Sequence, residues 1–415
     1  MKKPYLSIVI PVLNLWELTR ECLKSVKLHT VGKFYEVIVV DNGSSDETFA
    51  ECDDLGRSLF GDRFSYIRLE KNINFGPACN VGAQKAAGEM LFFLNNDTLL
   101  TDKWFVPLLE AFKSYPKVAV CSPLCLFPDN NRVQYMGICF DGGLNVRHPY
   151  FLFPGSHSVV KKARKFQALS AAAFMVPSAI FKEFEGFFSE YTNGFEDIDL
   201  CCRIRRSGGH LIQENRSVIY HLASQTPGRN KFNAQNIELV NDRCVGCFRP
   251  DLHKIAVNDG FHCEITPWLE MIIRDTDTDR MLELSKLSGE DEIASALNEF
   301  PLWGEGYDQL AQIYFESGRQ EKAAEILFYG SSLFPDRERL RSLYQIAGQV
   351  ELEDYADYAS RKLLSIDSAM SHPEKLKGQA LKCMSWAMIG KDSELLDIYE
   401  KWLKLHFKED GSSNF

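Results

Sequence analysis

The chain lacks any apolar run long enough to cross a bilayer. Its opening stretch of Ile8, Val9 and Ile10 meets Pro11 at once, whereas a membrane helix needs about 20 residues. No charged-then-apolar leader stands at its start, and the expectation is a cytoplasmic protein. Positive charge is in deficit: 47 Lys and Arg against 57 Asp and Glu leave a net charge of −10. That is the wrong sign for a phosphate backbone, so no nucleic acid partner is expected. Low-complexity tracts are absent. The 12 cysteines have no regular spacing and read as reduced, mostly buried thiols. Only Cys244 and Cys247 are spaced as CxxC, without the second pair of a common zinc motif.

What is present is the composition of an ordinary globular protein, 45% hydrophobic and 25% charged, over 415 residues. That length exceeds one comfortable core, so two domains are expected. The first half alternates strand and helix signals. Tyr5 to Val12, Glu36 to Val40, Phe64 to Leu69 and Met90 to Leu94 read as strands. Helices are expected over Leu15 to Leu28, from an Asp46 cap to Leu59, and over Pro77 to Ala87. This alternation implies an α/β fold with a parallel, doubly wound sheet, whose ligands bind beyond the carboxyl ends of the strands.

Beyond Trp104 the pattern is mixed. Lys117 to Cys121, Val133 to Phe140, Gln167 to Val176, His210 to Glu214 and Val218 to His221 read as strands, and Phe195 to Ser207 as a helix. From about Pro267 everything reads helical to Lys408. Tyr307, Leu310, Ala311, Tyr314, Gly318, Ala323, Leu327, Gly330 and Pro335 have the spacing of a tetratricopeptide-type (TPR) helical hairpin. Helices over Arg339 to Val350, Tyr355 to Ile366, Glu374 to Ile389 and Ser393 to Leu405 suggest two more pairs, with Gly390 where Gly318 sits in the first. A non-repetitive helical bundle is the alternative. The expected division is a catalytic domain over 1–265, a helical linker over 266–300 and a TPR-like α-helical repeat domain over 301–415.

Several polar clusters fall at strand ends. Asp41-Asn42-Gly43-Ser44-Ser45-Asp46 offers a carboxylate for the imide N–H of uracil or thymine, with Asn14 nearby. It is also what an N-capping turn needs. In the run from Asn72 to Gly82, Asn74 and Gly76 mark a turn and Asn80 is suited to a base or ribose, or these residues only shape the loop. Asn95-Asn96-Asp97 ends the fourth strand. A carboxylate there suits a hard divalent cation, Mg²⁺ or Mn²⁺, bridging a diphosphate, with Asn95 bonding neutral hydroxyls. Helix capping is the plain alternative for Asp97.

Glu196, Asp197 and Asp199 crowd three carboxylates into four residues, a repulsion the helix N-terminus offsets in part. A cluster of this kind can supply a general base to a reacting hydroxyl, and Asp197 is expected in that role. Glu196 is expected to orient acceptor or base, and Asp199 to be structural, pairing with Arg203. His221, closing a strand, would complete an Asp–His–diphosphate metal site, or is simply a hydrogen-bonded histidine at a strand end. Arg229 and Lys231 in the loop after it suit closure over a diphosphate, or belong to a solvated loop.

The ordered blocks DNGSSD, NFGPACNVGAQKAAG, MLFFLNNDT, ALSAAAFMVPSAIFKEFEGF, NGFEDIDLCCRIRRSGG and VIYHLASQTPGR resemble family-2 glycosyltransferases of GT-A fold. The nearest in look is the rhamnosyltransferase-like group that acts on bacterial surface glycans, and the likeness spans roughly residues 4 to 250. It implies a Rossmann-like nucleotide-diphospho-sugar transferase domain followed by the helical domain. It further implies base contact by Asp41, metal binding by Asp97 and His221, and Asp197 as catalytic base in a single displacement with inversion. Pro11, Asn14, Asn42, Ser44, Asn74, Gly76, Asn80, Asn95, Asn96 and Arg229 are the further residues expected around the nucleotide-sugar. The chain departs from the pattern where an amide, Asn95, replaces the usual carboxylate, where Ala171 and Ala172 replace Gly-Ala, and where Glu185 replaces a Gly.

The expected partners are a UDP- or dTDP-sugar donor and a glycan, lipid-linked or protein acceptor. A lipid-linked acceptor would bring the enzyme to the inner membrane face. The helical domain is expected to recognise an acceptor, a protein partner or another copy. Nucleotidyl transfer would need a glycine-rich basic loop where Pro11-Val12-Leu13-Asn14-Leu15 stands. A scaffold working through its repeats, with a vestigial catalytic domain, is the alternative from another class.

Overall fold

A computed structural model describes residues 3–32, 34–102, 104–222 and 232–408. It divides into two compact units: Met1–Cys139 with His148–Phe151 and Ser158–Arg249, and Phe140–Arg147 with Leu152–His157 and Pro250–Phe415.

The first unit opens with β1 (Leu6–Val12), buried along its whole length. Apolar, β-branched residues at consecutive positions suit a strand covered on both faces. There follow α1 (Trp16–His29), β2 (Tyr35–Asp41), α2 (Thr48–Phe60), β3 (Phe64–Arg68), α3 (Phe75–Lys85) and β4 (Met90–Leu94). β1 pairs in parallel with β2 and β4, and β2 with β3. Four carboxyl ends therefore share one edge, with Val12 opposite Asp41 and Asp41 opposite Arg68.

The chain continues through β5 (Thr98–Leu100), α4 (Phe105–Ser114), β6 (Val118–Leu126), β7 (Val133–Tyr135), β8 (Cys139–Phe140), β9 (Val146–Arg147), β10 (Arg164–Phe166), β11 (Ala173–Pro177), α5 (Ser178–Glu183), α6 (Glu196–Arg206), β12 (His210–His221) and α7 (Asn233–Arg243). The sheet order is β10-β12-β6-β11-β4-β1-β2-β3, with β5 on β12 and β7 on β6. β11 runs against both β4 and β6, so the sheet is mixed rather than wholly parallel. The reversal matters for the site. β11 begins opposite the last residue of β4 (Ala173 with Leu94), so the loop ahead of it reaches the same edge. β12, parallel to β6, ends there too, with His221 opposite Thr98.

Local departures from expectation have local causes. The strand expected over Val133 to Phe140 breaks at Gly137, whose φ is 106° and where a Cβ would stand 2.4 Å from the Phe166 ring. Residues 167–172, expected as strand, form a loop. The two strands expected after α6 are one, with an irregularity between Glu214 and Val218.

The second unit holds α8 (Leu252–Asn258) and an antiparallel hairpin, β13 (Phe261–Ile265) with β14 (Met271–Asp275). The helical run expected from Pro267 is therefore interrupted, and the expected 265/266 boundary falls inside this hairpin. Its turn is closed by Glu270 N–H donating to Thr266 Oγ1 at 3.0 Å, with Leu269 at φ 68°. A five-residue strand is too short to declare its period.

From there all is helical: α9 (Thr278–Leu284), α10 (Glu290–Glu299), α11 (Gly304–Glu316), α12 (Gln320–Leu333), α13 (Arg337–Gln349), α14 (Glu353–Met370), α15 (Pro373–Gly390) and α16 (Ser393–His406). The turns after α11, α13 and α15 each contain one left-handed residue: Gly318 (φ 76°), Glu351 (57°) and Lys391 (55°). Gly390, expected to make the third turn, instead ends α15, and Lys391 takes the left-handed position. α11 and α12 approach closely because Gly330 has no Cβ, which would stand 2.8 Å from that of Tyr307. No helix among the described residues is long and apolar enough to cross a membrane. All cysteines are free thiols, buried except for the half-buried Cys247.

Candidate active site

The site is built on the strand-end edge of the first unit. Asn14 and Leu15, both left-handed (φ 57° and 61°), turn the chain from β1 into α1. Asn14 Oδ1 accepts Ser45 N–H and Asn14 N–H donates to Ser44 Oγ, each at 2.8 Å. Asp46 accepts the N–H of Trp16 at 3.0 Å and of Thr48 at 3.1 Å, and so ties the first residues of two helices rather than capping one. Asp41 is wholly buried. Its Oδ1 takes Ser44 N–H at 2.7 Å, while Oδ2 takes the Tyr66 phenol and the Arg68 guanidinium, each at 2.5 Å. Burial and the adjacent Asp41 push the Tyr66 phenol up, which keeps it a donor.

In front of these residues lies a cavity of about 170 Å³. Its walls are Pro11 to Leu13 and Leu15 from β1 and its loop, Asn42, Asn72 and Phe75, Asn95 to Asp97, Ser170 to Ala172, and Asn193 to Asp197. Of the residues expected from sequence, it gathers Pro11, Asn42, Asn95, Asn96, Asp97, Glu196 and Asp197. Asn14, Asp41, Ser44, Asn74, Gly76, Asn80 and His221 do not line it. Arg229 and Lys231 lie outside the described residues.

The non-lining residues have identifiable work. Asn74 (φ 72°) precedes α3 and its carbonyl accepts Asn42 Nδ2–H at 3.2 Å. Gly76 lets α3 pass Phe187 and Glu196, whose nearest atoms would stand 3.1 and 3.5 Å from an added Cβ. Asn80 is committed to main chain: it donates to Phe187 O at 2.7 Å and accepts Phe187 N–H at 2.9 Å. The structure thus turns this amide away from the cavity, because it clamps the loop after α5.

At the end of β4, Asn95 Oδ1 is buried and has no hydrogen-bond partner among the described residues. Such an atom costs free energy until something donates to it. Asn96 Nδ2–H donates to Thr19 Oγ1 at 2.9 Å. Asp97 and His221, 8% and 4% exposed, face each other with Nε2 3.1 Å from Oδ1. The other ring nitrogen, Nδ1, lies 3.1 Å from Gln134 Oε1. Among the described residues no group of three or more His, Cys, Asp or Glu is arranged to hold a metal. Asp97 and His221 supply two such donors, so a cation here would need its remaining positions filled by a diphosphate and water.

The acidic cluster sits at the start of α6. Asn193 and Phe195 are left-handed (φ 49° and 72°), a strained entry that points the helix N-terminus at the cavity edge. Asn193 Oδ1 accepts Phe75 N–H at 3.0 Å, joining α3 to this turn. Glu196 is buried and its Oε2 accepts Gly194 N–H at 2.7 Å. Asp197 is half-buried, with Oδ1 accepting Ile198 N–H at 2.8 Å and Oδ2 accepting Ala171 N–H at 3.0 Å. Asp199 faces away: its carboxylate takes Arg203 Nε at 2.7 Å, the pair its spacing led us to expect, and Arg243 Nε at 2.6 Å.

Asn72, Phe75, Asn193, Phe195 and Gln134 enter the site or its support without having been picked out as ligands or catalysts. The Asn193-Gly194 turn beside the acidic pair was a usable sign. Gln134 carries none.

A strand-end cavity in a mixed α/β sheet, walled by amides and carboxylates, belongs to a GT-A-like domain. Residues 7–179 match the model of the family described as "Glycosyl transferase family 2". Among curated relatives, "Uncharacterized protein y4gI" of Sinorhizobium fredii is 27% identical over 234 residues, 54% of this chain and 25% of its own length. "O-antigen biosynthesis protein RfbC" of Myxococcus xanthus is 25% identical over 224 residues, 52% of this chain and 17% of its own. The chain therefore spans a quarter or less of these relatives. A solved structure of GalNAc-T7 with UDP, GalNAc and Mn²⁺ aligns with a TM-score of 0.47 and 20% identity over 57% of this chain and 48% of that one.

Proposed function

We propose that this chain is an inverting, metal-dependent glycosyltransferase that moves a sugar from a UDP- or dTDP-sugar to a hydroxyl acceptor in bacterial surface-glycan synthesis. The observation that carries the reading is a single cavity whose lining includes both Asp97, the partner of His221, and Asp197. The O-antigen name of one relative supports the acceptor class.

Asp97 and His221 fit a divalent cation: both are buried, and a carboxylate with an imidazole is a suitable donor pair for Mg²⁺ or Mn²⁺. Such an ion supplies Lewis-acid charge to the leaving diphosphate. The protein's own groups do the rest. Asn95 Oδ1, unpartnered in the lining, accepts a donor hydroxyl. Asp197, which lines the cavity and accepts the main-chain N–H groups of Ala171 and Ile198, takes the proton of the acceptor hydroxyl. The acceptor oxygen bonds to the anomeric carbon as the bond to the diphosphate breaks, and the nucleoside diphosphate leaves. Inversion follows from one displacement with one base. Asp41, Ser44 and Asn14 hold the shape of the nucleotide end, with Asp41 able to reach a base only by exchanging one of its present donors.

The same reading gives the second unit, as a TPR-like array, to acceptor or partner recognition. Supporting it is a groove of about 1140 Å³ walled by α11, α13 and the β13–β14 hairpin. The chain works in the cytoplasm, at the inner membrane face when its acceptor is lipid-linked.

The test is a panel of sugar nucleotides screened for thermal stabilisation with and without Mn²⁺. A ligand at 100 times its Kd stabilises by about 2.7 kcal/mol, a rise of several degrees. One UDP- or dTDP-sugar should give this shift only with the metal present. No shift with any donor would instead favour a scaffold with a vestigial site.

A further inference from the structure

Gln134 sits on β7, between the buried Val133 and Tyr135. Its Oε1 is 3.1 Å from Nδ1 of His221, whose Nε2 is 3.1 Å from Asp97 Oδ1. Both ring nitrogens of one imidazole therefore face oxygens. An amide oxygen and an ionised carboxylate oxygen can only accept hydrogen bonds. With Nδ1–H donated to Gln134, Nε2 turns toward Asp97, and those two electron-rich groups hold together only around a proton or a metal ion.

We propose that Gln134 is the positioning residue of this pair: by taking Nδ1–H it fixes the tautomer and ring angle that present Nε2 to a divalent cation shared with Asp97. The inference rests on the reading of Asp97 and His221 as metal ligands. Gln134 touches neither cation nor donor and acts through His221 alone. A group of this kind is worth roughly 10- to 100-fold in metal affinity where it has been removed from other sites.

The experiment is a Mn²⁺ titration of the full chain, with free Mn²⁺ followed by electron paramagnetic resonance, on wild type, Gln134→Met, Gln134→Glu and Asp97→Asn. Melting curves establish that each variant is folded. Gln134→Met keeps length and volume but loses the acceptor, and should bind Mn²⁺ 10- to 100-fold more weakly. Gln134→Glu restores an acceptor for Nδ1–H and should bind within a few-fold of wild type. A merely structural glutamine would lower the melting temperature of both without separating their affinities. Wild-type affinity in Gln134→Met, with affinity lost in Asp97→Asn, overturns the role of Gln134 alone. Equal weakness of the Met and Glu variants overturns it as well. Undiminished affinity in Asp97→Asn overturns the metal reading itself, and this inference with it.

Discussion

The main-chain N–H of Ala171 donates to Oδ2 of Asp197 at 3.0 Å, tying the loop ahead of β11 to the first turn of α6. The loop in turn hangs on β7: Ser170 N–H donates to the Tyr135 hydroxyl at 2.6 Å, and both lie beside the cavity wall. Two residues remote from each other in sequence thus set where the acidic side chain stands.

Tyr135→Phe should loosen that arrangement. It removes the acceptor of a part-buried N–H, which costs about 1–3 kcal/mol. Chemical denaturation should report a loss in that range. Glycosyl transfer should fall as well, because the Ala171 N–H is one residue from the freed one. Unchanged stability would mean that water replaces the hydroxyl without penalty.

Asp199 should behave as a structural residue. It is 1% exposed and accepts from Arg203 and Arg243, both mostly covered. Asp199→Ala leaves two guanidinium groups without their carboxylate and should cost about 3 kcal/mol of stability, the low end for a broken buried pair because both arginines keep some solvent contact. Denaturant midpoints would measure it. Any of the folded variant that remains should bind donor as well as wild type does.

Much of this was legible beforehand. The β-branched runs, the strand-end positions of Asp41 and Asp97, and the i,i+4 spacing of Asp199 with Arg203 all carry local, periodic information. What was hidden depends on non-local packing. Asn80 looks like a ligand in sequence, yet it serves Phe187, 107 residues away. Gln134 meets His221 across 87 residues, with nothing near it in sequence to mark it. β14 escaped because Met271 to Ile273 is too brief an apolar run to tell strand from helix. Asp41 was read as an open carboxylate. No pattern in DNGSSD foretells that Tyr66 and Arg68, two and four residues along the next strand, occupy one of its oxygens.

The second unit should lose stability in mild acid. His253 is wholly buried, with Nε2 3.1 Å from Asp392, and burial holds its imidazole below the ordinary range even against the pull of that carboxylate. The unfolded chain then binds the proton more readily than the folded one. Stability falls as pH drops below about 6.5, by at most about 1.4 kcal/mol per pH unit. Asp392 is held low: burial pushes it up, but Lys254, the Leu395 N–H and His253 outweigh it. Its contribution has the same sign and is lost only below about pH 4. Denaturation at pH 7 and pH 5 should show the decline in wild type and a flatter response in His253→Gln. Equal slopes for the two would assign the effect elsewhere.

Asp197→Asn decides most. The amide oxygen still accepts one of the Ala171 and Ile198 N–H groups, and loss of the other's acceptor should cost about 1–3 kcal/mol, so a melting curve first establishes that the variant is folded. Nucleoside diphosphate release would be followed with the donor found by thermal screening, Mn²⁺ and a hydroxyl acceptor. We expect transfer to drop by roughly 10²- to 10⁴-fold while donor binding stays at the wild-type level. A folded Asp197→Asn that transfers sugar at the wild-type rate would contradict a carboxylate base at this position.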